Sequence, residues 1–118
     1  MSRVSLTSAA AAAELVQDGH VVAISGNGAG MGAAEAVFEA LEQRFLATGH
    51  PRDLTLVHSL GLGDRAARGV NRFAHKGMVR RVIAAHFTWS VKILALRRAH
   101  GACRGREPRA PPRGSGPG

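Results

Sequence analysis

The run His20-Val21-Val22-Ala23-Ile24-Ser25-Gly26-Asn27-Gly28-Ala29-Gly30-Met31-Gly32, continued by Ala33 to Ala47, decides the fold class. Its first half is short, apolar and β-branched, the pattern of a strand covered on both faces. From Gly26 to Gly32 glycine returns at every second position, which predicts a loop. Beyond it Val37, Leu41 and Phe45 recur at i, i+4 and i+8 with Phe38 beside them, while Glu35, Glu39, Glu42 and Gln43 take the other face. That spacing predicts an amphipathic helix with its carboxylates in water. Strand, glycine turn and helix form the opening unit.

Upstream, Thr7 or Ser8 is placed to cap a helix over Ala9–Gln17, ended by Asp18-Gly19. Downstream, Thr48-Gly49-His50-Pro51 stops the long helix through a glycine C-cap and a following proline. Leu54 to His58 reads as a second strand, Gly61 to Gly69 as a polar loop and Val70 to Lys76 as a short helix. Val79 to His86 reads as a third strand around the core run Val82-Ile83-Ala84-Ala85, and Ser90 as the cap of a last helix, Val91 to Arg98. The order α-β-α-β-α-β-α predicts an α/β fold, a Rossmann-like open parallel sheet of three strands with flanking helices. Three strands make a poor sheet by themselves, so the domain is expected to be incomplete.

The chain has 118 residues, one Cys, one Trp, no Tyr and a formal charge of +8. One cysteine excludes a disulfide framework and suggests a reducing compartment. No stretch approaches the ~20 apolar residues of a membrane span, and Met1 to Ala13 is too polar for a secretory leader. These features predict a soluble, cytoplasmic chain. The charge is uneven: residues 95–118 hold six Arg against Glu107 alone. From Gly101 to Gly118 nine of eighteen residues are Gly or Pro, and no Val, Ile, Leu, Met or aromatic residue occurs. Residues 99–118 are therefore expected to form a disordered tail, and residues 1–98 the α/β domain. Without interleaved aromatics the tail predicts no specific nucleic-acid binding, only salt-sensitive contact.

The turn Gly26, Asn27, Gly28, Ala29, Gly30 lies between a strand and the N-terminus of the strongest helix, where backbone N–H groups and the helix dipole favour an anion or oxyanion. The alternative is glycine used for a tight turn and close helix–strand packing. Gly28 to Ala33 also fits the G-x-G-x-x-G/A dinucleotide fingerprint, but the acidic partner expected at the end of the second strand is missing: His58 stands there, and Asp53 precedes the strand. His58 and His86 end the second and third strands, where open α/β sheets bind ligands. They are substrate-pocket candidates, or half-buried rings bonded to loop carbonyls. His20, His50, His75 and His100 have weaker claims. No two histidines stand at i, i+4 on a predicted helix, so no metal site is predicted. Arg80-Arg81 and Arg97-Arg98 read as solvated or salt-bridged. Cys103 has no His or Asn neighbour and does not read as a nucleophile.

Several longer stretches resemble one family. Gly19 to Met31, Glu39 to Leu46 and above all Thr48-Gly49-His50-Pro51-Arg52-Asp53-Leu54-Thr55-Leu56-Val57-His58 resemble the opening of family I CoA-transferases of the acyl-CoA:acetate/3-ketoacid type. Gly61-Leu62-Gly63-Asp64, Arg68-Gly69, Phe73-Ala74-His75 and Gly77 to Ile83 continue the likeness, which covers about residues 5–96. The resemblance implies transfer of CoA between a short-chain acyl-CoA and a carboxylic acid through a glutamyl-CoA thioester. It also implies coenzyme A as substrate, no permanently bound cofactor, and homo-oligomeric relatives. The turn Gly26 to Gly30 would then offer N–H groups to the reacting carbonyl. The family's nucleophilic glutamate belongs to a second half of a much longer chain. None of the glutamates here occupies its motif, so no catalytic residue carries over and the chain is expected to be inactive alone. The alternative is a small module binding a nucleotide or CoA phosphate through the glycine loop.

After Leu96 the likeness stops. Relatives continue with a segment like I-E-A-Y-N-L-P, whereas this chain has Ala102-Cys103-Arg104-Gly105-Arg106-Glu107-Pro108. One DNA stretch, GCG TGT CGA GGC CGT GAA CCT, encodes that heptapeptide and, read one base later, R-V-E-A-V-N-L. A frameshift is therefore expected to have truncated the native sequence, and the source DNA in the shifted frame is the check.

Overall fold

The computed structural model describes residues 3–26 and 31–99. Asn27, Gly28, Ala29 and Gly30 of the glycine turn, and the predicted tail from His100 onward, lie outside the described residues. The element order is helix Ala9–Glu14 (α1), strand Val21–Ala23 (β1), helix Glu35–Thr48 (α2), strand Leu54–His58 (β2), a 3-10 turn Val70–Phe73, strand Val79–Ala84 (β3) and helix Val91–Ala99 (α3). The three strands form one parallel sheet in the order β1-β2-β3. The alternating order therefore matches the molecule, except that the short helix expected over Val70 to Lys76 is a four-residue 3-10 turn, Val70–Phe73.

β2 is the middle strand, and its burial follows. Leu54 and Leu56 have no exposed surface, and Thr55 and His58 are buried. A two-residue period places Leu54, Leu56 and His58 on one face and Thr55 and Val57 on the other, so this strand alone is covered on both. β1 departs from the expectation of a doubly covered strand: Val21 is 68% exposed, and among the described residues β1 pairs with a strand on one side only. β3 departs likewise. It ends at Ala84 rather than His86, and Ile83, expected in the core, is 45% exposed. An apolar run can signal a strand without saying which strands will find neighbours.

The core joins Phe38 and Leu41 of α2, Leu54 and Leu56 of β2, Leu62, Val70, Phe73, Met78 and Ile93. The α2 stripe that enters it is led by Phe38 and Leu41, with Val37 and Phe45 packed at its margin. Gly49 takes the left-handed conformation (φ 76°) and its N–H donates to Phe45 O at 2.7 Å, the expected glycine cap. The following His50–Pro51 peptide is cis, and Pro51 is buried.

α1 is shorter than predicted. Ser8 caps it by accepting from Ala11 N, but the far end is held from outside: Arg44 of α2 donates to Ala13 O (3.0 Å) and Val16 O (2.6 Å), taking carbonyls that a continued helix would have used. Asp18, expected only to end the helix, accepts from Arg52 N (2.8 Å) and meets His50 Nδ1 (2.9 Å). It thereby fastens the chain entering β1 to the chain entering β2. The Arg52 N–H, then His50, hold its carboxyl below the usual carboxylate range.

The acidic face of α2 is the largest departure on this element. Glu39 is exposed as expected, but Glu35 and Glu42 are not free in water. Glu35 binds Arg72 and accepts from Gly69 N at 2.9 Å; Glu42 takes Arg72 at 3.1 Å and His75 Nε2 at 2.8 Å. Glu35, followed by Glu42, raises Arg72 above its ordinary range. These bonds tie α2 to the segment between β2 and β3. Helical spacing shows which side a carboxylate takes, and only the tertiary fold shows whether a cation is waiting there.

Candidate functional site at the carboxyl ends of the strands

The three parallel strands deliver three connections to the same end of the sheet: the glycine turn after β1, the Ser59–Gly69 loop after β2 and the His86–Ser90 segment after β3. Gly26 opens the first. Its φ is 151°, and a Cβ there would lie 2.9 Å from Leu62 Cδ2 and 3.2 Å from Ala33 Cβ. Glycine is thus required where the turn passes beneath the second loop and the residue leading into α2. Close packing, the alternative raised from sequence, is real at this one position.

The second and third connections meet at Gly61. A Cβ on Gly61 would come within 2.8 Å of His86 Cε1 and 3.1 Å of Trp89 Cδ1, and Gly61 N–H donates to His86 Nε2 over a long 3.5 Å. His86 is otherwise exposed. His58 is 4% exposed, and its Nδ1 lies 2.5 Å from Leu60 O. A carbonyl only accepts, so Nδ1 donates, and Nε2 is the ring's other polar atom. That nitrogen is buried without a partner among the described residues. Both candidate histidines therefore flank the Leu60-Gly61 turn. The bond to a loop carbonyl foreseen for a half-buried ring is made by His58; the orphaned Nε2 was not legible.

Behind this turn stands Asn71, which sequence reasoning missed. It is buried and makes three bonds: Nδ2 donates to Arg68 O (3.1 Å) and Trp89 O (2.9 Å), and Oδ1 accepts from Lys92 N (3.0 Å). It caps α3 in place of Ser90, whose hydroxyl instead donates to Leu62 O at 3.3 Å. The outer rim is Asp64, which accepts from Ala66, Ala67 and Arg68 N–H at 2.8–2.9 Å, while Arg65 lies over the Trp89 ring at 4.4 Å. The Arg68 and Ala66 N–H groups, then Ala67, hold the Asp64 carboxyl below its usual range.

Asp18 and Asp64 set an acid limit on stability. Each folded value lies below the unfolded one, so the stabilisation is complete above about pH 4 and is lost as pH falls through the folded values. Thermal unfolding midpoints should fall on acidification below about pH 4. Asp64→Asn, which keeps an acceptor oxygen without the titrating charge, should flatten that limb. An unchanged acid slope in Asp64→Asn contradicts the assignment.

Among the described residues, no group of three or more His, Cys, Asp or Glu side chains is arranged to hold a metal ion, and no helix is long and apolar enough to cross a membrane. The dinucleotide alternative gains nothing: Asp53 precedes β2 and His58 is its last residue.

No family model matches the chain. Individual proteins do. It is 33% identical over 94 residues to the acetate CoA-transferase YdiF of Escherichia coli (strain K12), a match covering 80% of this chain and 18% of that protein. It is 39% identical over 79 residues to the caffeate CoA-transferase of Acetobacterium woodii, covering 67% and 15% respectively. Among solved structures, the YdiF acyl-CoA transferase apoenzyme of Escherichia coli O157:H7 superposes with a TM-score of 0.79 at 32% identity, over 83% of this chain and 19% of that one. The thioester complex of the same transferase with CoA gives 0.76 at 31% identity, over 80% and 18%. The chain thus spans less than a fifth of the length of these relatives. Over the span they share, sequence and fold agree, and the chain belongs to the CoA-transferase family.

Proposed function

We propose that this chain carries part of the site of a CoA-transferase, whose whole reaction moves CoA between a short-chain acyl-CoA and a carboxylic acid such as acetate. In this reading the turn Gly26, Asn27, Gly28, Ala29 and Gly30 presents backbone N–H groups to the thioester carbonyl as its oxygen gains charge. His58 and His86 border the acyl pocket across the Leu60-Gly61 turn. The nucleophile is a glutamate outside this sequence. Its carboxylate attacks the acyl carbonyl and expels the CoA thiolate, leaving an acyl-glutamyl anhydride. The thiolate then attacks the glutamyl carbonyl and releases the first acid, and the acceptor carboxylate reverses the sequence. Coenzyme A is a substrate, no cofactor is resident, and the working enzyme is a cytoplasmic homo-oligomer.

The observation that carries this reading is the convergence of Gly26, His58 and His86 at the carboxyl ends of a parallel sheet, where such folds bind ligands, in a chain about one-third identical to a transferase solved as a thioester complex with CoA. Exchange of labelled acetate into acetyl-CoA by the 118-residue chain is the test. No turnover is expected. Turnover that disappears on mutating one of its own glutamates overturns the inactive reading, and saturable binding of NAD in preference to CoA overturns the site assignment.

A further inference from the structure

Glu35 opens α2, yet its carboxylate does not serve the helix end: Ala34 is the N-cap, and no side chain caps the first turn. It reaches instead to the far end of the loop that follows β2. Oε2 accepts from Gly69 N at 2.9 Å, and Oε1 accepts from Arg72 Nε. Nη1 of the same guanidinium donates to Glu42 Oε1 at 3.1 Å. Glu35 and Glu42 stand two turns apart on α2 and so share one face, and Arg72 spans them. Charge-assisted bonds of this kind are strong and directional. With the Arg72 side chain only 17% exposed, they hold the Glu35 carboxylate in one setting.

Gly69 is the point at which the loop closes. Gly63 and Gly69 form an antiparallel bridge, Val70 N donates to Leu62 O at 3.2 Å, and a Cβ on Gly69 would lie 2.8 Å from Gly63 Cα. Across this neck, a Cβ on Gly26 would meet Leu62 Cδ2 at 2.9 Å and Ala33 Cβ, two residues before Glu35, at 3.2 Å. The neck therefore has two anchors: Leu62 packs on Gly26, and Gly69 bonds to Glu35. It carries the Leu60-Gly61 turn, which meets His58 and His86. A neck held at one point pivots, and the second anchor fixes its orientation. We infer that Glu35 is a positioning residue of the candidate site: through Gly69 N–H, with Arg72 orienting its carboxylate, it sets the Leu60-Gly61 turn and the two histidines beside it against Gly26. The inference rests on the proposed transferase reading for what that site does, and on these bonds for how it is held.

The test is NMR of the isotopically labelled 118-residue chain. Glu35→Ala should speed exchange of the Gly69 amide at least about tenfold. It should also displace the amide signals of Gly26, Gly61 and Leu62 and the ring signals of His58 and His86, rings that bond to neither Glu35 nor Arg72. Arg72→Ala should act in the same direction, and the double variant should be no worse at Gly69 than Glu35→Ala alone, because the two act through one bond. Glu35→Gln, with one carbonyl oxygen for two donors, should restore part of the Gly69 protection. Glu42→Gln, which loosens His75 but spares the Gly69 bond, should leave both histidine signals in place. If Glu35→Ala does not fold, Glu35→Gln against Glu42→Gln carries the same comparison. Unchanged Gly69 exchange, unmoved histidine signals, or equal displacement by Glu42→Gln each overturns the inference and leaves Glu35 a brace between α2 and the 3-10 turn. The transferase reading fails separately, by acetate exchange or a preference for NAD in the unmodified chain, and neither result alters these spectra.

Discussion

Phe73→Ala is expected to lower the unfolding free energy by about 3–5 kcal/mol, the usual cost of emptying a buried aromatic position. Phe73 has no exposed surface. Its ring meets Phe38 edge to face, with centroids 5.5 Å apart at 65°, an arrangement that adds about 0.5–1.5 kcal/mol to simple burial. The pair joins the 3-10 turn to α2, so the loss falls on the contact that holds the β2–β3 connection against the sheet's main helix. Small domains have only about 5–15 kcal/mol in total, and the urea midpoint should fall accordingly. Phe73→Leu, which keeps most of the apolar volume, should lose less. Equal midpoints for wild type and Phe73→Ala contradict this account of the core.

Asn71→Ala should cost about 2–4 kcal/mol for a different reason. Three hydrogen bonds at about 1 kcal/mol net each are lost, and part of the buried backbone they served is left unsatisfied. Arg68 O, Trp89 O and Lys92 N lie on three separate stretches of chain, so the loop after β2, the segment after β3 and the start of α3 should loosen together. Hydrogen exchange is the discriminating readout. Amides from Leu62 to Val70 and from Ser90 to Leu94 should accelerate in concert, while β2 changes less. Asn71→Asp keeps the acceptor for Lys92 but sets an anionic oxygen against two carbonyls. It should be less stable than wild type at neutral pH and recover partly on mild acidification, when its protonated carboxyl can donate to one of them. Acceleration confined to one segment contradicts the hub assignment.

Much of this fold was legible because its signals are local. Leu54 to His58 is a strand in both readings, and Gly49 caps α2 as glycine before proline predicts. His58 ends β2 as its sequence predicts, whereas His86 lies beyond the end of β3, and the fold sets both rings beside the Leu60-Gly61 turn. The failures share one origin. Whether Val21 and Ile83 are covered depends on which strand lies beside them. Whether Glu35 and Glu42 meet water depends on Arg72 and His75, thirty or more residues away. Whether Ser90 caps α3 depends on Asn71 taking that task first.

By itself, the sequence determined the alternation of helix and strand, the parallel sheet and the kinship with CoA-transferases, because periodicity, caps and short motifs act over a few residues. Only the tertiary structure decided which of the described strands is flanked on both sides, which carboxylates are paired, and that Asn71 and Gly61 lie in the loops beside His58 and His86. Those outcomes rest on contacts between segments far apart in the chain, and such contacts exist only once the chain has closed on itself.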